Sequence, residues 1–268
     1  MRVILSVAVN VFKESVRDKV LYNLVFFAVL LIGTSYLLGQ LTAGQDVKIV
    51  KDLGLAATST FGLFIAVFIG VGLVWKEVER RSIYSLLAKP IRRRDFILGK
   101  YLGLVLTLAV NVAVMAAALY AVLACLAWLA PAELARGWDA PATDPAMLTA
   151  IGLIFLQLML VTALALFFST FSGPLVSAAL TFGLFVIGHF NADLRNFEKV
   201  VDSAPVAWLA RALYYALPNL APFDIKAQVV HGLPVAPGYV ALTAAYAAVY
   251  IAVLLVAATW IFGRKDFK

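Results

Sequence analysis

Chemistry-bearing side chains are scarce in this chain. In 268 residues there is one cysteine, there are two histidines, and only 14% of positions are charged. A soluble domain carries about 25% charged residues. The single cysteine, Cys125, excludes an intrachain disulfide and says nothing about redox compartment. Its place inside an apolar run reads as a small buried hydrophobe. There is no internal repeat, no low-complexity segment and no stretch that reads as a soluble domain. What fills the space is hydrocarbon, because 63% of the residues are hydrophobic. That composition belongs to an integral membrane protein.

Five runs are free of Asp, Glu, Lys and Arg: 20–45, 53–75, 101–132, 145–192 and 227–263. The run 53–75 has 23 residues, which makes about 35 Å of helix at 1.5 Å per residue. A hydrocarbon core of about 30 Å needs no more. The run 145–192 is too long for one crossing. Its one turn-like cluster, Ser169-Thr-Phe-Ser-Gly-Pro174, divides it in two. The fold class expected is therefore an all-α integral membrane protein of one domain, 1–268. Its six spans lie at about 20–41, 53–75, 101–130, 147–169, 174–190 and 239–262.

An even number of spans puts both termini on one side. With the N-terminus in the cytoplasm, the inner segments 1–19, 76–100, 169–174 and 264–268 hold 15 Lys or Arg. The outer segments 42–52, 133–146 and 191–237 hold 7. This excess inside fixes the expected orientation, with both termini cytoplasmic. It also accounts for the net charge of +7 without nucleic acid. Within 1–19, Ser6, Asn10, Lys13, Glu14 and Arg17 recur at helical spacing on an apolar helix. That pattern predicts an amphipathic helix on the membrane surface leading into the first span. No small-residue cleavage site precedes Lys13, which argues against a signal peptide. In the outer segment 191–237, the piece 205–217 predicts a short interfacial helix with Trp208, Tyr214 and Tyr215 at headgroup level.

The spans hold Asn23, Asn111, Gln157 and Thr181 but no ionisable mid-membrane group. Such amides and hydroxyls usually join helices, at about 0.6 kcal/mol each. Asn111 and Gln157 are the candidates for a translocation path. The lack of acids in the spans argues against an ion-coupled carrier. His189 and His231, with Asp193 or Asp224, fall short of the three or four convergent ligands of a metal site, so no metal is assigned. No catalytic group is assigned either. Ser169, Thr170 and Ser172 have no histidine or aspartate beside them and read as a turn.

The segment 76–100, KEVERRSIYSLLAKPIRRRDFILGK, concentrates eight Lys or Arg and three acids. Ile83, Leu86 and Leu87 share a face of a helix expected from about 78 to 88. Lys89-Pro90 ends it. Arg92, Arg93 and Arg94 then make a charged turn at the membrane face, with Asp95, before Phe96 re-enters. A short amphipathic helix with charged ends suits the docking of a soluble partner.

The run ERRSIYSLLAKPIRRRDFILGKY, 79–101, resembles the cytoplasmic loop of permease subunits in the ABC type-2 transporter family. Those loops read loosely as a glutamate, a spacer, a leucine pair, then P-[IV]-x-R-x-x-[IL]-L-G-K. The entry helix, the six spans and the tail FGRKDFK (262–268) are similar as well. The outer LPNLAPF (217–223) resembles the subgroup that includes permeases of nitrous oxide reductase maturation. The resemblance implies a permease subunit of an ATP-driven transporter in the inner membrane of a prokaryote, working as an exporter. It implies pairing with a second permease, identical or paralogous, and two copies of a separate ATP-binding cassette subunit. Loop 76–100 would be the coupling helix, with Glu79 at the family's coupling glutamate. Arg80, Arg81, Tyr84 and Leu87 complete the expected docking face. ATP and magnesium would sit on the partner, since the chain has no G-x-x-x-x-G-K-[ST]. Gly99-Lys100 is followed by Tyr101 and lacks the earlier glycine. The alternative reading is a membrane scaffold that docks a soluble partner on the same loop without transport.

Overall fold

The computed structural model describes residues 2–41, 45–79, 92–190, 208 and 217–264. Among them there is no strand. The order is α1 (Arg2–Val16), α2 (Lys19–Gln40), α3 (Asp46–Glu79), α4 (Arg93–Leu129), α5 (Ala132–Arg136), α6 (Ala146–Ser169) and α7 (Pro174–His189). A 3-10 turn (Ala221–Phe223), α8 (Lys226–Val230) and α9 (Pro237–Arg264) follow. Five of these helices, α2, α3, α4, α6 and α9, are long and apolar enough to cross a membrane. The sixth, α7, is a shorter apolar helix of 16 residues, about 24 Å long.

Helix boundaries follow local chemistry. The Asp18 carboxylate accepts the Val20 N–H at 2.9 Å and caps α2. Pro174 opens α7 from an extended Gly173, where its missing N–H leaves no bond unmade. The expected break at 169–174 is found there. α3 has 34 residues and α4 has 37. At 1.5 Å per residue both exceed about 50 Å, so both outrun the hydrocarbon.

Two expectations are corrected. Arg93 and Arg94 are not part of a turn: they open α4, and only Arg92 keeps an extended backbone. Asp95 in the first turn offsets the two cations at the positive end of that helix. Cys125 is exposed on the outward side of α4. An apolar run in a membrane helix is covered by lipid as readily as by protein. The expected helix 78–88 lies outside the described residues beyond Glu79. Of the expected helix 205–217 only Trp208 and Leu217 are described, and Trp208 is exposed.

α3 and α6 form the centre. Most of their span residues are buried, while α2, α4 and α9 turn most of theirs outward. Close approach needs glycine. A Cβ on Gly54 of α3 would collide with Leu119 of α4, and one on Gly62 with Leu158 of α6. α1 lies against the start of α4. Gly99 and Gly103 stand one turn apart, and a Cβ on either would come within 2.6 Å of Val7 Cβ or of Val11 Cβ and the Ala8 carbonyl. This is a small-xxx-small contact. Ala8, Val11 and Ser15 are the buried face of α1, and Ser6, Asn10, Lys13, Glu14 and Arg17 are exposed.

Gly103→Ala is expected to lower stability by about 1–3 kcal/mol through overpacking. Gly33→Ala, where a Cβ meets nothing within 4 Å, should be neutral or gain up to about 1 kcal/mol of helix propensity. Thermal unfolding of the two variants in detergent checks the contrast.

Candidate functional site

The ends of α3 and α4 flank the charged segment 80–91. Glu79 is the last residue of α3. Arg80, Arg81, Tyr84 and Leu87 lie outside the described residues. The three arginines that follow differ in role. Arg92 and Arg94 are exposed, and Arg94 Nε lies 3.4 Å from Asp95 Oδ1. Arg93 is half-buried and reaches across to α9. Its Nη1 donates to the carbonyls of Phe262 at 3.0 Å and Gly263 at 3.1 Å. Carbonyls in the last turn of a helix have no amide ahead of them to accept from. That turn is also the negative end of the α9 dipole. A guanidinium with a planar fork of donors answers both needs.

Rings continue the contact inward. Phe96 of α4 stacks on Phe262 at 5.9 Å with the planes 18° apart. Lys100, one turn on and 1% exposed, carries its Nζ 5.0 Å from the Phe96 centroid. Arg264 lies 3.9 Å over the Trp260 ring. The start of α4 is therefore held by α1 on one side and by α9 on the other. Gly99 and Lys100 are committed to these contacts.

The other predicted residues are deep in the bundle. Asn111 is 5% exposed, and its Nδ2 donates to the Thr107 carbonyl of its own helix at 2.6 Å. Gln157, 2% exposed, lies 2.9 Å from His189 Nε2. His189 Nδ1 faces the Phe185 carbonyl at 2.9 Å. A carbonyl only accepts, so Nδ1 carries the hydrogen and Gln157 donates to Nε2 in the neutral ring. The pair ties α6 to α7. Asn111 and Gln157 are not brought together by any bond between them. Among the described residues no group of three or more His, Cys, Asp or Glu converges as a metal site.

The opposite end of the bundle carries a polar clasp that sequence reasoning missed. Trp138 Nε1 donates to Asp46 Oδ1 at 3.1 Å, and Lys48 Nζ pairs with Asp139 at 2.6 Å. Lys51 is fully buried, and its Nζ donates to the Pro141 carbonyl at 2.8 Å. Together they sew the start of α3 to the segment between α5 and α6. One signal was present: Val47, Val50, Lys51, Gly54, Leu55 and Thr58 share the buried face of α3 at helical spacing. Lys48 bonds and attracts the Asp139 carboxylate, and together with the more distant His231 holds its pKa below the ordinary value.

An amphipathic entry helix, six apolar helices and a charged segment strung between the two longest define a multi-pass membrane protein. The chain belongs to the ABC-2 family transporter protein family, which matches residues 5–267. It is thus the membrane subunit of a transporter, a class of component that is itself non-catalytic. No curated protein matches the chain.

Two outcomes are expected. Arg93→Ala should lose about 1–2 kcal/mol, since the charged bond is half-exposed, and hydrogen exchange should quicken at the last amides of α9. Arg92→Ala and Arg94→Ala should leave that exchange unchanged. For Asp139, the depressed pKa means a contribution present above about pH 3.9, the ordinary Asp value, and lost as pH falls through the folded value. The Asp139→Asn variant should therefore unfold at a lower temperature than the native chain at pH 7, with the gap closing below about pH 4. High salt should narrow it too.

Proposed function

We propose that this chain is the permease of an ATP-driven exporter, coupled through loop 76–100 to a separate ATP-binding cassette subunit. Two permeases, identical or paralogous, would enclose the path, and two ATP-binding subunits would sit beneath them. ATP and magnesium would be held by those subunits. The observation that carries the reading is where the loop is strung. It joins α3, one of the two central helices, to an α4 start that is packed closely on α1 and bonded to α9. A push or pull on the loop would reach α3 and α4 directly, and α1 and α9 through the start of α4. Family membership adds weight, because ABC-2 membrane components normally work with an ATP-binding subunit.

In this reading Glu79, Arg80 and Arg81 orient the partner, Tyr84 and Leu87 fill its groove, and Arg92 and Arg94 face headgroups or the partner rim. The loop, α1 and the end of α9 share one end of the bundle. The excess of basic residues in those segments supports a cytoplasmic location for both termini in a prokaryotic inner membrane. Closure of the ATP-binding subunits would tilt α3 against α6 and switch access at the interface of the two permeases. Asn111 and Gln157 are proposed to lie beside that path, where their buried amides stiffen the walls.

The test is co-purification from gently solubilised native membranes, with mass spectrometry of the companions. An ATP-binding subunit is expected with the native chain and should be lost with Glu79→Arg, a variant that inserts normally. With co-reconstituted protein, the same variant should lower the partner's ATPase stimulation by about tenfold, the effect of about 1.4 kcal/mol at the contact. Co-purification of a partner with no ATPase domain would sink the transport reading in favour of a scaffold.

A further inference from the structure

The first three turns of α9 border a pocket of about 550 Å³. Its other wall is the chain segment around the 3-10 turn. Asn219 and Pro222 line that wall, and Tyr239, Leu242, Thr243, Ala245, Tyr246 and Val249 line α9. The volume falls within the range of about 300–1,000 Å³ typical of small-ligand sites. α9 is a membrane-crossing helix by length and hydropathy. Leu242 and Val249, 74% and 64% exposed, flank the opening on the outward side of that helix. The mouth therefore faces the bilayer at the depth of the half remote from loop 76–100.

Most polar groups of the lining are engaged within the protein. Tyr239 Oη donates to the Pro222 carbonyl at 2.8 Å, and Thr243 Oγ1 to the Tyr239 carbonyl at 2.9 Å. Tyr246 Oη accepts the Asn219 N–H at 2.7 Å, and Asn219 Oδ1 accepts the Ala221 N–H at 3.1 Å. These bonds also hold the two walls apart at a set width, because Tyr239 and Tyr246 each bridge from α9 to the facing segment. What remains toward the cavity is chiefly methyl, methylene and ring surface. Water has little to bind there, and an empty apolar cavity forfeits dispersion contacts on every wall. Hydrocarbon is the solvent at this depth, and a chain of methylenes gains by entering.

We propose that this pocket is a binding site for one acyl chain of a membrane phospholipid, held between α9 and the Asn219–Pro222 segment and distinct from the lipid that merely coats the bundle. The site belongs to the chain alone and needs neither an ATP-binding partner nor transport.

The full chain would be reconstituted in vesicles of phosphatidylethanolamine and phosphatidylglycerol doped with a phospholipid bearing a photoreactive diazirine on one acyl chain. Labelled peptides would be mapped by mass spectrometry. Labelling is expected to concentrate at 239–249 relative to the exposed Phe26 and Phe27 surface of α2. Ala245→Phe and Leu242→Trp, both at exposed positions that make no side-chain hydrogen bond, fill the pocket from its mouth. Each should lower labelling at 239–249 by about tenfold, the effect of losing a few methylene contacts. Labelling of α2 should be unchanged, with the thermal midpoint retained. Uniform labelling of α9 and α2, insensitive to both variants, would mean ordinary lipid coating and overturn the proposal. Labelling of α2 with none at 239–249, the result if a second copy of the chain covers this face, would overturn it as well.

Discussion

Every polar group that this bundle buries must find its partner within the chain, because hydrocarbon offers none. The pattern of internal bonds follows from that constraint. Buried hydroxyls turn back to carbonyls one turn earlier: Thr58 to Gly54, Thr107 to Gly103, Thr162 to Leu158 and Thr181 to Ser177. Longer side chains are spent between elements. Lys51 reaches Pro141, Gln157 meets His189, and Arg93 reaches the open carbonyls of α9. The first set leaves helices intact and adds no tertiary preference. The second set specifies which helix stands beside which, since a misplaced neighbour would strand a donor in an apolar interior.

The two ends of the bundle solve the constraint differently. At the end remote from loop 76–100, charged pairs and a buried lysine join the start of α3 to the segment before α6. At the loop end, glycines let α1 come close to α4 and an arginine caps α9. Both clasps bear on α3 or α4, the helices whose ends carry the loop.

Much of this was legible from composition. Five membrane-length apolar helices and one shorter one overlap the six expected spans, and the break at 169–174 was set by Gly173-Pro174. The polar stripe of α1 was legible too, because a 3.6-residue period needs no tertiary information. The Arg92–Arg94 turn was misread, since a run of cations argues against a helix start until Asp95 and the α9 carbonyls are seen to neutralise it. Cys125 was misread because burial by lipid and burial by protein select the same residues. The Gly99-xxx-Gly103 spacing was in plain view, but a glycine pair has meaning only once a second helix lies across it.

The sequence by itself determined that the chain is an all-α membrane protein, which segments are apolar helices and where its charge collects. Those are one-dimensional properties: transfer of a 20-residue apolar segment into hydrocarbon is settled locally. Only the tertiary structure decided that α3 and α6 are central, that Lys51 and Lys100 are buried, and that Arg93 alone of three neighbouring arginines clamps α9. Apolar helices in lipid have no hydrophobic preference among themselves, so their arrangement rests on close packing and on the few polar groups that must be paired.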